Sequence, residues 1–111
     1  MRNLSEIYTT DRNYQAKFQL RPFIEEIDLF IKEEIANRKN CFINKEEDFK
    51  YGRDYYLSDQ KFAQALGKKL KHKFKGSITT TRTLHSFDRK HGKQVYRLTV
   101  CFRMDQQNKT L

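Results

Sequence analysis

Residues 14–31 read YQAKFQLRPFIEEIDLFI, and a change of rhythm inside them decides the fold. Tyr14, Ala16, Phe18 and Leu20 alternate with Gln15, Lys17, Gln19 and Arg21. A period of two marks a strand with one buried face and one wet face. Pro22 then stops the strand, because it has no N–H for a ladder and its fixed φ suits a first helical position. From there the period is helical. Phe23, Ile24, Ile27, Phe30, Ile31 and Ile35 form one stripe, and Glu25, Glu26 and Asp28 sit near the positive end of the helix dipole. A helix is expected over 23–39, with Asn40 as its stop. Leu29 points off the stripe and Glu34 into it, two local misfits.

Working outward, CFINKEEDFKYGRDYYL at 41–57 reads as two short strands, 42–45 and 53–57. Gly52 would supply a turn or bulge conformation, and Glu46, Glu47 and Asp48 would lie in the connection. Ser58 is the expected N-cap of a second helix, with Asp59 helping in its first turn. Its stripe is Phe62, Ala63, Leu66, Leu70 and Phe74, with Ala63 and Gly67 small enough for close approach to a sheet. Gly76 is placed to end it. A threonine-rich strand is expected over 77–87 and a turn at DRKHG, 88–92. The last strand, 94–104, alternates: Tyr96, Leu98, Val100, Phe102 and Met104 face one way, and Val95, Arg97, Thr99, Cys101 and Arg103 the other.

The order is thus β-α-β-β-α-β-β. Two helices with one apolar stripe each must cover one face of a mainly antiparallel sheet. The expectation is an α+β two-layer sandwich, ferredoxin-like or similar with an added strand. Residues 14–104 would be one domain, 1–13 a flexible arm and 105–111 a frayed end.

Charge is uneven along the chain. Residues 1–60 hold ten Lys/Arg against twelve Asp/Glu, while residues 61–111 hold thirteen against two, giving the net +9. Five lysines fall between Lys68 and Lys75, and on the second helix Lys61, Lys68, Lys71, His72 and Lys75 lie opposite the apolar stripe. The uncovered sheet face would show Gln15, Lys17, Gln19 and Arg21, then Thr79, Thr81, Thr83 and His85, then Arg97, Thr99 and Arg103, with almost no acid. Such a face can hydrogen-bond phosphate and ribose oxygens with little choice among bases. It lacks the aromatic pairs of an RNA-recognition-motif sheet. Arg97 and Arg103 can fork onto phosphate, which lysine cannot. The candidate nucleic-acid-binding residues are Lys17, Arg21, Lys61, Lys68, Lys71, Lys75, Arg82, Arg89, Lys90, Lys93, Arg97 and Arg103. Tyr51 and Tyr55 are the aromatic surface candidates.

Other chemistries find no pattern. There is no GxxxxGK[ST], GxGxxG or GxSxG motif. His72, His85 and His91 have no metal-ligand spacing, and Cys41 and Cys101 lack CxxC or Cys–His neighbours, so no metal or other cofactor is expected. The two cysteines are read as free, half-buried thiols, with a disulfide between them left open. Asp48, Asp54 and Asp59 do not make a nuclease site; Asp54 is expected to fix a turn or pair with an arginine. No apolar run approaches the roughly 18 residues of a membrane span, and MRNLSEIYTTDRN has no apolar core of a signal peptide. The expectation is a non-enzymatic cytoplasmic protein.

Three segments in register carry a family resemblance. GRDYYLSD (52–59) is similar to the glycine–x–Asp–x–Tyr, then serine, signature in the central region of the large-ribosomal-subunit export adapter family. That family was first named for nonsense-mediated decay and has archaeal members without export signals. YQAKFQLR (14–21) resembles the strand opening that region, and GKQVYRLTVCFR (92–103) its Tyr–Arg–x–Thr–Val closing strand. The resemblance implies a non-enzymatic module of archaeal type, active in ribosome biogenesis. Its partners would be ribosomal RNA or the large ribosomal subunit, with ribosomal proteins as further contacts. It departs from the family in lacking the paired CxxC motifs of the amino-terminal region, as an excised central domain or a short relative would. A monomer or weak dimer with no membrane partner is expected. The alternative is a protein-interaction domain that docks an acidic partner or adds a strand at the sheet edge.

Overall fold

The computed structural model describes residues 2–88 and 92–105. Its elements are β1 (Ala16–Arg21), α1 (Glu25–Ala36), β2 (Ile43–Phe49), β3 (Gly52–Leu57), α2 (Gln60–Lys73), β4 (Gly76–Asp88) and β5 (Lys93–Met104). The strands form one sheet in the order β2-β3-β1-β5-β4. Both helices pack on the same side, and the α+β two-layer sandwich expected from the two periodicities is the fold observed.

Alternation places the core. Ala16, Phe18 and Leu20 of β1 and Leu98, Val100 and Phe102 of β5 turn toward the helices and are buried. They meet Ile27, Ile31 and Ile35 of α1 and Phe62, Ala63, Leu66 and Leu70 of α2. Gly67 belongs to the same contact, since a Cβ there would stand 3.0 Å from Cγ1 of Val100. Leu29 is exposed, as its angle predicted. Glu34 is accommodated by an ion pair with Lys69 of α2 at 2.6 Å.

The added strand does not extend the sheet at its edge. β5 inserts beside β1 and runs parallel to it, while β4 pairs antiparallel on the outer side of β5. The other neighbours are antiparallel. The physical reason is composition. β5 offers three fully apolar inward residues and gains most from a central place, whereas threonines let β4 stand at a solvated edge.

Several local expectations are corrected. Acids 46–48 are not in a connection. They lie within β2, which runs on to Phe49, so the turn reduces to Lys50 and Tyr51. Charge is tolerated in this edge strand because each acid has a partner. Arg53 Nε donates to Asp48 Oδ1 at 2.6 Å, Tyr8 donates to Glu46 Oε2 at 2.7 Å, and Tyr56 donates to Glu47 Oε1 at 2.8 Å. The hydrogen bond from Arg53 holds the Asp48 carboxyl below its usual pKa. Tyr55 is not a surface residue but fully buried, its hydroxyl donating to Asp28 of α1.

Gly52 has no left-handed backbone; it is needed because β1 passes too close for a side chain. Asp59, not Ser58, caps α2, accepting from the Phe62 amide at 3.1 Å. The Ser58 hydroxyl instead accepts from the Phe42 amide at 2.9 Å. Helix α1 starts two residues late, leaving Phe23 exposed beneath the Arg53 guanidinium at 4.6 Å.

Residues 2–13, expected as an arm, contribute to the packing. Ile7 is fully buried, Tyr8 bridges Ile43, and the Arg2 amide donates to the Ala36 carbonyl at 3.0 Å. Residues 106–111, expected to fray, lie outside the described residues.

Both cysteines are free, Cys41 buried and Cys101 partly exposed. Burial pushes the Cys41 thiol up to about 11. Any stability tied to that neutral thiol is present at neutral pH and is lost as pH climbs through this range. Thiol titration of the native protein at pH 8 should therefore modify Cys101 rapidly and Cys41 only after denaturant is added. Equal rates in the folded protein would contradict the burial of Cys41.

Candidate nucleic-acid interface

The side of the sheet away from the helices has two halves of different character. On the β2–β3 half the charges are matched internally. Asp54 is almost fully buried and takes a 2.7 Å ion pair from Arg21, the arginine pairing expected of it. Glu47 receives the Tyr56 hydroxyl and lies 4.0 Å from Lys45. The expectation that this face holds almost no acid is thus corrected for this half, where the acids are spent on neighbouring strands.

The β1–β5–β4 half is different. Register fixes which side chains share it: Lys17 opposes Thr99, Gln19 opposes Cys101, and Arg21 opposes Arg103. Ser77, Thr79 and Thr81 of β4 face Arg103, Cys101 and Thr99 across the next ladder. Ser77, Thr79, Thr81 and Thr83 are exposed, as is Arg103. No acid occurs among the described side chains on this side of these three strands.

Aromatic groups are present here, contrary to the reading from alternation. Tyr14 precedes β1 and escapes its alternation. Its ring packs edge-on against Tyr56 at 4.8 Å, and the Arg97 guanidinium stacks over it at 3.9 Å. Lys17 lies 5.2 Å from the Tyr56 ring. The contact holds Arg97 flat while its N–H groups stay available. Its signal in the sequence was Tyr56, which must face Lys17 once Phe18 and Tyr55 are inward.

The remaining candidates are dispersed. Lys61, Lys68, Lys71 and Lys75 are exposed on the helix layer, on the opposite side of the molecule. Arg82 opposes Leu98 and so points to the helix side, beyond helix cover, with its guanidinium 5.9 Å from the Tyr96 ring. Arg89 and Lys90 lie outside the described residues, as does the side chain of Lys93. Lys17, Arg21, Arg97 and Arg103 are therefore brought together on one face, and the helix lysines are not joined to them.

Ion pairing separates the two halves of the chain. Arg21, Lys32, Lys45 and Arg53 are each paired with an acid. Among the described side chains of residues 61–111, Lys69 is the one cation so engaged. The other described cations of this half make no ion pair and face solvent or a ligand. Among the described residues, no three His, Cys, Asp or Glu side chains are grouped to hold a metal ion, and no helix is long and apolar enough to cross a membrane.

Residues 13–104 match the family model described as the second domain of NMD3. Among curated proteins, none matches the chain.

Proposed function

The chain belongs to the NMD3 family of large-ribosomal-subunit export adapters, and on that footing we propose that it is a non-enzymatic cytoplasmic module that holds ribosomal RNA through its phosphate backbone. The observation that supports this reading is the acid-free half of the open sheet face. There, Lys17, Arg97 and Arg103 stand among exposed hydroxyls and make no ion pair with a described acid. Phosphate contacts from such groups position a protein on RNA without reading sequence. The lysines of α2 form a second cationic surface on the opposite layer. A small ligand cannot meet both, but a folded RNA or a cleft of the subunit can.

The test is binding of a labelled large-subunit RNA hairpin over a salt series. Submicromolar affinity is expected at about 50 mM salt, falling steeply as salt rises. Arg97→Gln and Arg103→Gln should each lower the slope of log affinity against log salt by about 0.7 to 0.9. Lys68→Gln with Lys71→Gln reports separately on the helix surface. Absence of binding at the lowest salt would end the proposal.

A second reading is favoured by the edge of the sheet. β4 is a 13-residue edge strand, long enough to accept a strand from a protein partner. Capture of one protein partner that survives nuclease treatment would favour that role.

A further inference from the structure

One end of the open face carries a feature that backbone binding does not use. The β2–β3 turn projects Tyr51, which is 70% exposed, and Phe49 beside it is 47% exposed. Lys50 stands 5.5 Å over the Tyr51 ring and Arg21 5.6 Å over that of Phe49, so each ring meets a cation on one side and the exposed remainder is open to a planar partner. Next to them is an open cleft of about 370 Å³ at the ends of β1, β5 and β4. Its lining includes Arg21, Lys50, Tyr51, Ser77, Arg103 and Asp105.

The charges in this cleft can be assigned one by one. Arg21 and Arg103 are cross-strand neighbours on the parallel β1–β5 pair. Like charges in that position repel. Arg21 is compensated by Asp54 at 2.7 Å. Arg103 and Lys50 make no ion pair among the described residues, and Asp105 is the one acid on the lining. Two uncompensated cations against one carboxylate leave an excess of a single positive charge. One phosphodiester carries the opposite charge. Ser77, opposite Arg103 on β4, adds a hydroxyl donor.

We propose that this cleft binds one unpaired nucleotide of an RNA strand, its phosphodiester between Arg103, Lys50 and Ser77 and its base stacked on Tyr51. A base stacks on any exposed aromatic face, and only an unpaired base offers its own face in return. The cleft volume lies within the roughly 300–1,000 Å³ of small-ligand sites. This site rests on the RNA-binding reading above and sharpens it, giving the domain a preference for loops and single strands over continuous duplex.

The test compares a labelled oligouridine strand with a blunt RNA duplex, using the whole chain, wild type and the surface variants Tyr51→Ala and Arg103→Gln. Tyr51→Ala should weaken the single strand at least about fivefold and leave the duplex unchanged. Arg103→Gln should weaken the single strand and lower its salt slope by about 0.7. Tyr51→Phe should retain binding. If the wild type binds RNA and Tyr51→Ala changes nothing, or weakens both RNAs alike, the nucleotide site is wrong and the broader reading stands. If the wild type binds neither RNA, both fall. Displacement of the strand by polyglutamate at equal charge would overturn the site in favour of an acidic protein partner.

Discussion

Gly52→Ala should destabilise the domain by about 3 kcal/mol, at the upper end of what overpacking costs. A Cβ at this position would stand 2.1 Å from the Leu20 carbonyl oxygen and 2.8 Å from Cδ and Nη1 of Arg21. The oxygen is backbone in the central strand and cannot rotate away. To admit one methyl group, β3 must separate from β1 or Arg21 must leave Asp54, and the ladder between these strands runs directly into the β2–β3 turn. Urea unfolding followed by circular dichroism should show a lower midpoint with an unchanged slope. A midpoint within error of wild type would mean that the β1–β3 approach is looser than the structure has it. The loss cannot be ascribed to glycine's backbone freedom, because the described residues place only Gly92 at positive φ, 64°.

Asp54→Ala should cost a similar amount, about 3 kcal/mol, through electrostatics rather than sterics. Removal of the carboxylate leaves Arg21 partly buried, beside Arg103 and without its counter-charge. Its remaining contacts are the Leu20 and Arg53 carbonyls at 3.0 and 3.3 Å and the Phe49 ring at 5.6 Å. None of these supplies a negative charge. Adding Arg21→Met to Asp54→Ala should restore most of the lost stability, since a buried pair replaced by apolar groups is often near neutral. A double variant as unstable as Asp54→Ala alone would show that Asp54 acts by some route other than Arg21. The same cycle bears on RNA. Asp54→Ala frees a cation on the open face, so its affinity for single strands should rise even as its stability falls.

These two predictions and the proposed nucleotide site converge on one end of the sheet. Gly52 admits β1, Asp54 fixes and neutralises Arg21, and Arg103 is the arginine at this end that makes no ion pair with a described acid. Structural and binding roles of neighbouring cations are separated by where the acid sits. The amino-terminal segment does not cancel this surface. It runs beside Asn44, Lys45 and Tyr56 at the end where Arg97 stacks on Tyr14, and leaves Arg103, Ser77 and Thr79 at the other end exposed.

Much of the fold was legible because it depends on near neighbours. The period of two over β1 and β5, the 3.6 period over α1 and α2, and the apolar stripe on each helix are consequences of backbone geometry acting over a few residues. From them the two layers and the identity of the open face follow: Lys17, Arg97 and Arg103 share a side because alternation puts them there. The candidates that alternation could not relate were those on different layers. Lys61, Lys68, Lys71 and Lys75 are as basic as the sheet arginines, yet charge alone does not say which surface a helix presents beside which strand.

What tertiary structure alone decided are pairings between distant segments. The parallel seating of β5 against β1 sets Arg103 next to Arg21, and no local pattern encodes that neighbour. Acids 46–48 lower the strand propensity of β2, but Tyr8, Arg53 and Tyr56 arrive from elsewhere to satisfy them. Tyr14 leaves its strand's alternation to meet Tyr56 and Arg97. Local sequence fixes which way a side chain points relative to its own backbone. Whether a charge is then neutralised or left for a ligand depends on the through-space partner, and that is set only when the strands assemble.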